Sequence, residues 1–154
     1  MLYAKHPSYY TSEGLLYNII MSKILIADDE PSLRLLVRAT LSANKSFELI
    51  EAFDGNEALD KAQKEKPSIL LLDVMMPGLS GFEVCERLKN DKTTKDIVIV
   101  MLTAKGQQSD KDWAISVGTD YFLTKPFSPL ELFNLIEKIL HKNESSDKTG
   151  IKLN

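Results

Sequence analysis

The stretch "SILLLDVMMPGLSGF", residues 68–82, combines three signals that together decide the fold. It opens with a run of branched apolar residues, which is typical of a parallel strand covered on both faces. Asp73 ends that run, and the Pro, Gly and Ser residues after it indicate a loop. Ser80 and Glu83 then form a capping-box pattern, which predicts that a helix begins there. Because a carboxylate beside leucines costs free energy unless its charge is used, Asp73 is a candidate functional residue.

The same alternation of apolar run and amphipathic segment continues along the chain. Four more apolar runs predict strands: "KILIAD" at 23–28, "FELIEA" at 47–52, "IVIVMLT" at 97–103 and "DYFLT" at 120–124. Helix-start signals in the other segments are Pro31, Asp54 with Glu57, Ser109 with Asp112, and Ser128 with Glu131. Five strands that alternate with five helices predict an α/β fold, a doubly wound parallel sheet with helices on both faces.

Composition narrows the class of protein. The chain has 154 residues, of which 44% are hydrophobic and 27% charged, as expected for one soluble domain. A formal net charge of -3 provides no basic field, so no nucleic-acid partner is expected. Cys85 is the single cysteine, which excludes an internal disulfide and favours a reducing, cytoplasmic compartment. No apolar stretch approaches the roughly 20 residues of a spanning helix, so no membrane insertion is expected.

The two ends of the chain differ in composition from its middle. Residues 1–20 are interpreted as an N-terminal extension, either disordered or the product of a misassigned start, because the regular pattern begins only at Met21. Residues 21–143 are interpreted as the globular domain. The polar residues 144–154 are expected to form a disordered C-terminal tail. From these assignments, no separate DNA-binding or catalytic output domain is expected.

Chemically useful residues stand where the predicted strands end. Asp28 and Asp29 follow the first strand, Asp73 ends the third, Thr103 ends the fourth and Lys125 follows the fifth. Doubly wound sheets bind ligands at this edge, so the five side chains should converge there. Crowded carboxylates favour a bound cation, and all-oxygen ligation suits Mg²⁺ or Mn²⁺. The metal, Thr103 and Lys125 could each bind one equatorial oxygen of a transferring phosphoryl group, with Asp73 as the nucleophile.

Four motifs carry a resemblance to a known family: "ILIADDE", "LLLDVMMPGLSGFEV", "VIVMLTAKG" and "GTDYFLTKPF". In this order they resemble the receiver domain of two-component response regulators, over roughly residues 22–141. The resemblance implies a flavodoxin-like (βα)5 sheet in the order 2-1-3-4-5. It implies phosphorylation of Asp73 by a sensor histidine kinase or a histidine phosphotransfer protein. It also implies Mg²⁺ held by Asp29, Asp73 and the backbone carbonyl of Met75, with Asp28 acting mostly through water.

The resemblance also implies how the phosphoryl group would be sensed. Thr103 would move toward it, and Phe122, three residues before Lys125, would turn inward to fill the space. The family often has Tyr at this position, and Phe gains packing on moving inward but no hydrogen bond. The neighbouring Tyr121 should face the opposite side of the sheet. Met75 and Lys105 stand at positions that flank the phosphoryl group in the family, and a cis peptide is expected between Lys125 and Pro126.

Three functions remain as hypotheses at this point. The favoured one is a phosphorylatable switch without independent substrate turnover, which changes its affinity for an unknown output protein at the last helix, strand and helix. It would be a stand-alone regulator of the chemotaxis or phosphorelay-intermediate type. The second is an aspartate-based phosphatase similar to the haloacid dehalogenase superfamily, but that chemistry usually has a second acid where Met75 stands. The third is a pseudo-receiver, a binding module that keeps the fold without the phosphate chemistry.

Overall fold

The computed structural model describes residues 22–44, 46–104 and 106–152. The proposed N-terminal extension, residues 1–20, and Lys105 lie outside these ranges. Strands and helices alternate regularly within them. In chain order they are β1 Ser22–Ala27, α1 Pro31–Ser42, β2 Phe47–Ala52, α2 Gly55–Glu65, β3 Ile69–Asp73, α3 Gly81–Lys89, β4 Val98–Ala104, α4 Gln108–Ser116, β5 Tyr121–Lys125 and α5 Pro129–Lys152.

The strands of the described ranges form one parallel five-stranded sheet in the order β2-β1-β3-β4-β5. This topology confirms the predicted flavodoxin-like, doubly wound fold. The register pairs Ala27 with Leu72, at the ends of β1 and β3. It also pairs Asp73 with Leu102, one residue before Thr103. The carboxyl ends of β1, β3 and β4 therefore meet at one edge of the sheet, next to the end of β5.

Two apolar clusters cover the two faces of this sheet. Leu70 and Leu72 of β3 pack with residues of α2, α3 and α4, while Ile69 and Leu71 pack with residues of α1 and α5. All four side chains are fully buried. Each contributes about 1.5–3 kcal/mol by leaving water. Burial of alternate residues on opposite faces explains why β3 is continuously apolar and why its terminal acid is held rigidly.

Most helix starts follow the predicted capping signals. Glu83 N donates to Ser80 Oγ and Ser80 N donates to Glu83 Oε2, which completes the predicted capping box of α3. Asp54 caps α2 by accepting from Glu57 N at 2.8 Å, and Pro31 occupies the first turn of α1. These contacts satisfy backbone N–H groups that have no partner inside the helix.

The predicted start of α4 at Ser109 is wrong. The helix begins at Gln108, and its N-cap Gln107 makes no capping side-chain hydrogen bond with the described residues. Asp112 was expected to take part in the cap of this helix. Instead, its Oδ1 accepts a hydrogen bond of 3.2 Å from Gln108 Nε2, within the helix.

The last helix differs from expectation at its end. Helix α5 continues to Lys152, so the segment that was expected to be a disordered tail from residue 144 is helical up to that residue. Once a helix is nucleated and packed, each further residue adds one backbone hydrogen bond, and no proline interrupts this segment. Among the described residues, no helix has both the length and the apolar character needed to cross a bilayer.

Candidate functional site

Three distant parts of the chain meet in one ion-pair cluster at the carboxyl edge of the sheet. Lys125 Nζ donates to Asp28 Oδ2 at 2.7 Å and to Asp73 Oδ1 at 3.1 Å. Asp28 is completely buried and Asp73 is only 7% exposed. Since β1, β3 and β5 supply these three residues, the folded sheet brings them together as the sequence predicted.

The buried carboxylate of Asp28 uses both of its oxygens. Oδ2 accepts from Lys125, and Oδ1 accepts from the backbone N–H of Glu30 at 2.9 Å. The backbone N–H of Asp28 donates to Ala52 O at 3.2 Å, and its backbone carbonyl accepts from Arg34 Nη1 at 2.8 Å. Asp28 is therefore fixed by contacts from β2, from β5 and from the start of α1.

Asp29 completes an acidic cluster with Asp28 and Asp73. Each of the three carboxyl groups offers an oxygen, and these oxygens lie within 4.8 Å of one another. Asp29 is exposed, so the cluster is open to solvent on that side. Several carboxylate oxygens with room for water are the ligand set that Mg²⁺ prefers, so the donor atoms present fit this ion.

The cluster perturbs the protonation of its members. Burial, followed by the charge of Asp28, raises the pKa of Asp73 from 3.8 to about 6, while Lys125 and the N–H of Met75 oppose the rise. Burial alone would lower the pKa of Lys125, but its hydrogen bond to Asp28 and the charges of both carboxylates outweigh burial and raise that pKa. At neutral pH the site therefore holds a largely ionised Asp73 beside a charged ammonium group.

Thr103 contributes a hydroxyl group without a partner. Its side chain is completely buried, and within the described part of the chain Oγ1 has no hydrogen-bond partner. A buried hydroxyl left in this state costs free energy, typically about 1–3 kcal/mol. The register places Thr103 at the end of β4, one residue past the partner of Asp73. An acceptor that entered the site from outside could satisfy this donor.

Phe122 lies on the same face of the sheet as Thr103. Phe122 pairs in register with Met101, two residues before Thr103, and it packs half-buried against the cluster shared with α2, α3 and α4. Tyr121 packs against the opposite cluster, as the alternation of strand residues predicted. The peptide between Lys125 and Pro126 is cis, as expected.

Two features beside Asp73 shape access to it. Met75 is 76% exposed, and its backbone N–H opposes the rise in the pKa of the Asp73 carboxyl group. Gly81 begins α3 so close to the strand that a Cβ there would lie 2.2 Å from Asp73 O. This role of Gly81 was not predicted from the sequence, although a glycine directly after an N-cap residue and near a candidate nucleophile can indicate a close approach of two backbone segments.

The sequence of the chain matches a family model described as the response regulator receiver domain, over residues 24–137. It is 43% identical over 122 residues to the alkaline phosphatase synthesis transcriptional regulatory protein PhoP of Bacillus subtilis, covering 79% of this chain and 50% of that protein. It is 41% identical over 124 residues to the phosphate regulon transcriptional regulatory protein PhoB of Pseudomonas aeruginosa, covering 80% of this chain and 54% of that protein. The chain thus spans about half the length of these curated relatives.

Solved structures agree with the same fold. The chemotaxis response regulator CheY4 of Vibrio cholerae superposes with a TM-score of 0.72 at 35% identity, over 77% of this chain and 98% of that one. A response regulator from Chloroflexus aurantiacus, described as putative, gives a TM-score of 0.73 at 34% identity, over 78% of this chain and 98% of that one.

Proposed function

The chain belongs to the response regulator receiver domain family, and from this membership we propose that it is a signalling switch in which Asp73 accepts a phosphoryl group. The donor would be a sensor histidine kinase or a histidine phosphotransfer protein. The observation that carries the proposal is the contact of Lys125 Nζ with Asp73 Oδ1, inside a cluster of three carboxyl groups. This arrangement holds one carboxylate rigidly while supplying positive charge beside it.

A divalent cation, Mg²⁺ or Mn²⁺, is proposed as the cofactor. Receiver domains bind Mg²⁺ in an acidic pocket, and the ligands proposed here are Asp29, Asp73 and the backbone carbonyl of Met75. Asp28 would act mostly through water, which agrees with the hydrogen bonds that both of its carboxylate oxygens already accept. When bound, the ion offsets repulsion among the carboxylates and attracts phosphoryl oxygens.

The remaining work falls to residues of the chain. An oxygen of Asp73 forms a bond to phosphorus while the bond between phosphorus and the donor imidazole nitrogen breaks, and that nitrogen keeps the electron pair. Lys125 contacts one phosphoryl oxygen through its ammonium group. Thr103 donates its otherwise unpartnered hydroxyl to another oxygen. Positioning and charge neutralisation supply most of the catalysis in such transfers.

The output would be a change in surface conformation. Movement of Thr103 toward the phosphoryl group leaves space on its face of the sheet, which Phe122 fills by turning inward. Because Phe122 has no hydroxyl, its inward position is stabilised by packing alone. The surface of α4, β5 and α5 would then change its affinity for an unknown output protein. This works as a signal only if that partner distinguishes the two conformations.

The experiment for this proposal is phosphorylation with acetyl phosphate or a kinase in the presence of Mg²⁺, followed by intact mass measurement. The wild-type chain should gain one phosphoryl group that hydroxylamine removes, because acyl phosphates are labile to it. Asp73→Asn should fold normally and gain none. Equal labelling of the variant would show that another residue is the acceptor, and an unlabelled wild type would favour the pseudo-receiver hypothesis.

The other hypotheses have less support. Receiver domains are signalling switches rather than classical enzymes, and the position that a second phosphatase acid would occupy is the exposed Met75. A pseudo-receiver is disfavoured because Asp28, Asp73 and Lys125 are in direct contact.

Three predictions about the whole protein stay predictions. The names of PhoP and PhoB describe transcriptional regulation. These relatives therefore do not support the predicted absence of a nucleic-acid partner for the whole protein. PhoP and PhoB also do not support the predicted stand-alone organisation, although the match covers nearly all of the CheY4 chain. A cytoplasmic location, favoured by the single cysteine, is likewise a prediction.

A further inference from the structure

Arg34, in the first turn of α1, connects three elements around the acidic cluster. Its Nη1 donates to the backbone carbonyl of Asp28 at 2.8 Å. Its guanidinium carbon lies 4.2 Å from the centre of the Phe53 ring, and its Nε lies 3.6 Å from Glu51 Oε1. The side chain is only 14% exposed. Arg34 therefore joins the end of β1 to the end of β2 without touching a site carboxylate itself.

The guanidinium group is held in one orientation before any ligand binds. Phe53 is 52% exposed, and the guanidinium carbon of Arg34 lies over one face of its ring. The backbone N–H of Phe53 donates to Glu57 Oε2 at 3.0 Å, which ties the backbone of Phe53 to the start of α2. A guanidinium group that lies over an aromatic ring and is also paired with Glu51 has less rotational freedom than one in open solvent.

The contact with Asp28 O controls the direction of the chain at the two acids. The carbonyl of Asp28 and the N–H of Asp29 belong to one rigid peptide plane. A hydrogen bond that fixes this carbonyl consequently fixes where the backbone of Asp29 starts. The bond from Glu30 N to Asp28 Oδ1 fixes the following turn. Together the two bonds hold the Asp28 carboxylate and fix the backbone from which the Asp29 side chain extends.

We propose that Arg34 is a positioning residue for the cation site: it orients Asp28 and Asp29 through the backbone, with Phe53 holding its guanidinium plane. This inference rests on the proposed function, because it assumes that the acidic cluster binds Mg²⁺. Arg34 has no contact with the cation or the phosphoryl group in this role.

The direction of the change in Mg²⁺ affinity distinguishes a positioning role of Arg34 from an effect of its charge. Arg34 is a cation near three carboxyl groups, so removal of its charge alone would strengthen Mg²⁺ binding. Loss of positioning would weaken binding, because the carboxylates would no longer be held in the geometry that the ion needs. The two effects have opposite directions, and a merely structural role would produce neither in a variant that remains folded.

The experiment is calorimetric titration of the full chain with MgCl₂, for wild type, Arg34→Met and Arg38→Met. Arg38 is the matched control, since it lies one turn further along α1 and also pairs with Glu51 but is 56% exposed and contacts the other carboxylate oxygen. Arg34→Met should bind Mg²⁺ about tenfold more weakly than wild type. Arg38→Met should bind as wild type does. Unchanged or tighter binding by a folded Arg34→Met would overturn the inference.

A second pair of variants tests the role of the Phe53 ring. This pair also tests the inference if Arg34→Met fails to fold. Phe53→Leu leaves Arg34 in place but removes the face on which it stacks, and it should weaken Mg²⁺ binding roughly two- to fivefold. Phe53→Tyr keeps the face and should bind as wild type does. Equal binding by Phe53→Leu and wild type would overturn the inference. A wild-type chain that binds no Mg²⁺ would instead overturn the proposed cofactor, and this inference with it.

Discussion

Lys125 and Asp73, which are 52 positions apart in the sequence, are joined by a hydrogen bond of 3.1 Å at the carboxyl edge of the sheet. The same ammonium group also binds the buried Asp28. One ammonium group therefore offsets part of the repulsion between two carboxylates in a poorly solvated place.

Lys125→Met should separate cation binding from phosphoryl transfer. Without the ammonium group the carboxylates carry more uncompensated charge, so Mg²⁺ should bind more tightly than in wild type. Phosphorylation by acetyl phosphate should nevertheless be at least about tenfold slower, because one group that contacts the phosphoryl oxygens is missing. Titration calorimetry and mass measurement give the two quantities. Lys64→Met, which removes an exposed lysine paired with Asp60, is the control and should change neither.

The hydroxyl of Thr103 should be dispensable for stability and needed for the switch. Since Oγ1 has no partner among the described residues, Thr103→Val removes an unsatisfied donor and should leave the free energy of unfolding unchanged or raise it by about 1 kcal/mol. The change that beryllofluoride and Mg²⁺ produce in the nuclear magnetic resonance spectrum should be lost in Thr103→Val, whereas Thr103→Ser should keep it. Denaturation and nuclear magnetic resonance are suitable measurements. A clear loss of stability in Thr103→Val would mean that the hydroxyl is bonded in solution.

Stability should depend on pH through Asp73. Its pKa is 3.8 in ordinary surroundings and about 6 in the fold, so between these values the folded state binds more protons than the unfolded state. The contribution of this group to stability therefore falls as pH rises through that window and stays low above it. A difference of about two pKa units corresponds to roughly 3 kcal/mol.

Asp73→Asn removes this titration, so its free energy of unfolding relative to wild type should rise by up to roughly 3 kcal/mol between pH 4 and pH 7. Urea denaturation with a chelator present measures the difference, in which the titration of groups distant from Asp73 cancels. A difference that stays constant over this range would contradict the raised pKa.

Gly81→Ala should destabilise the fold at the nucleophile. A Cβ at this position would lie 2.2 Å from Asp73 O, so α3 or the end of β3 has to shift, at a cost of about 1–3 kcal/mol. Gly106→Ala is an informative comparison, because its Cβ meets nothing within 4 Å and only its positive φ of 85° opposes the change. Gly106→Ala should therefore lower the free energy of unfolding less than Gly81→Ala does. Slower phosphorylation is expected only for Gly81→Ala.

Local patterns in the sequence were sufficient for the strands and for most of the site. The run before Asp73 is apolar at every position because both faces of β3 are covered, and each predicted strand agrees with the structure to within one residue. The convergence of Asp28, Asp73 and Lys125 follows from topology, since parallel strands end at the same edge.

The features that were missed depend on contacts between distant parts of the chain. Arg34 stacks on Phe53 and pairs with Glu51, and neither partner can be identified from the sequence around α1. The start of α4 was misjudged because Gln108 binds the carboxylate of Asp112, an alternative partner that a capping pattern does not reveal.

The origin of Lys125 in the last strand has a consequence for newly made protein. While the ribosome is still translating β5, the nascent chain already contains the acceptor aspartate but has no amine to place beside it. On the mechanism proposed above, such an incomplete molecule would be a poor substrate for its kinase. On that mechanism, only chains that already contain β5 would be activated efficiently.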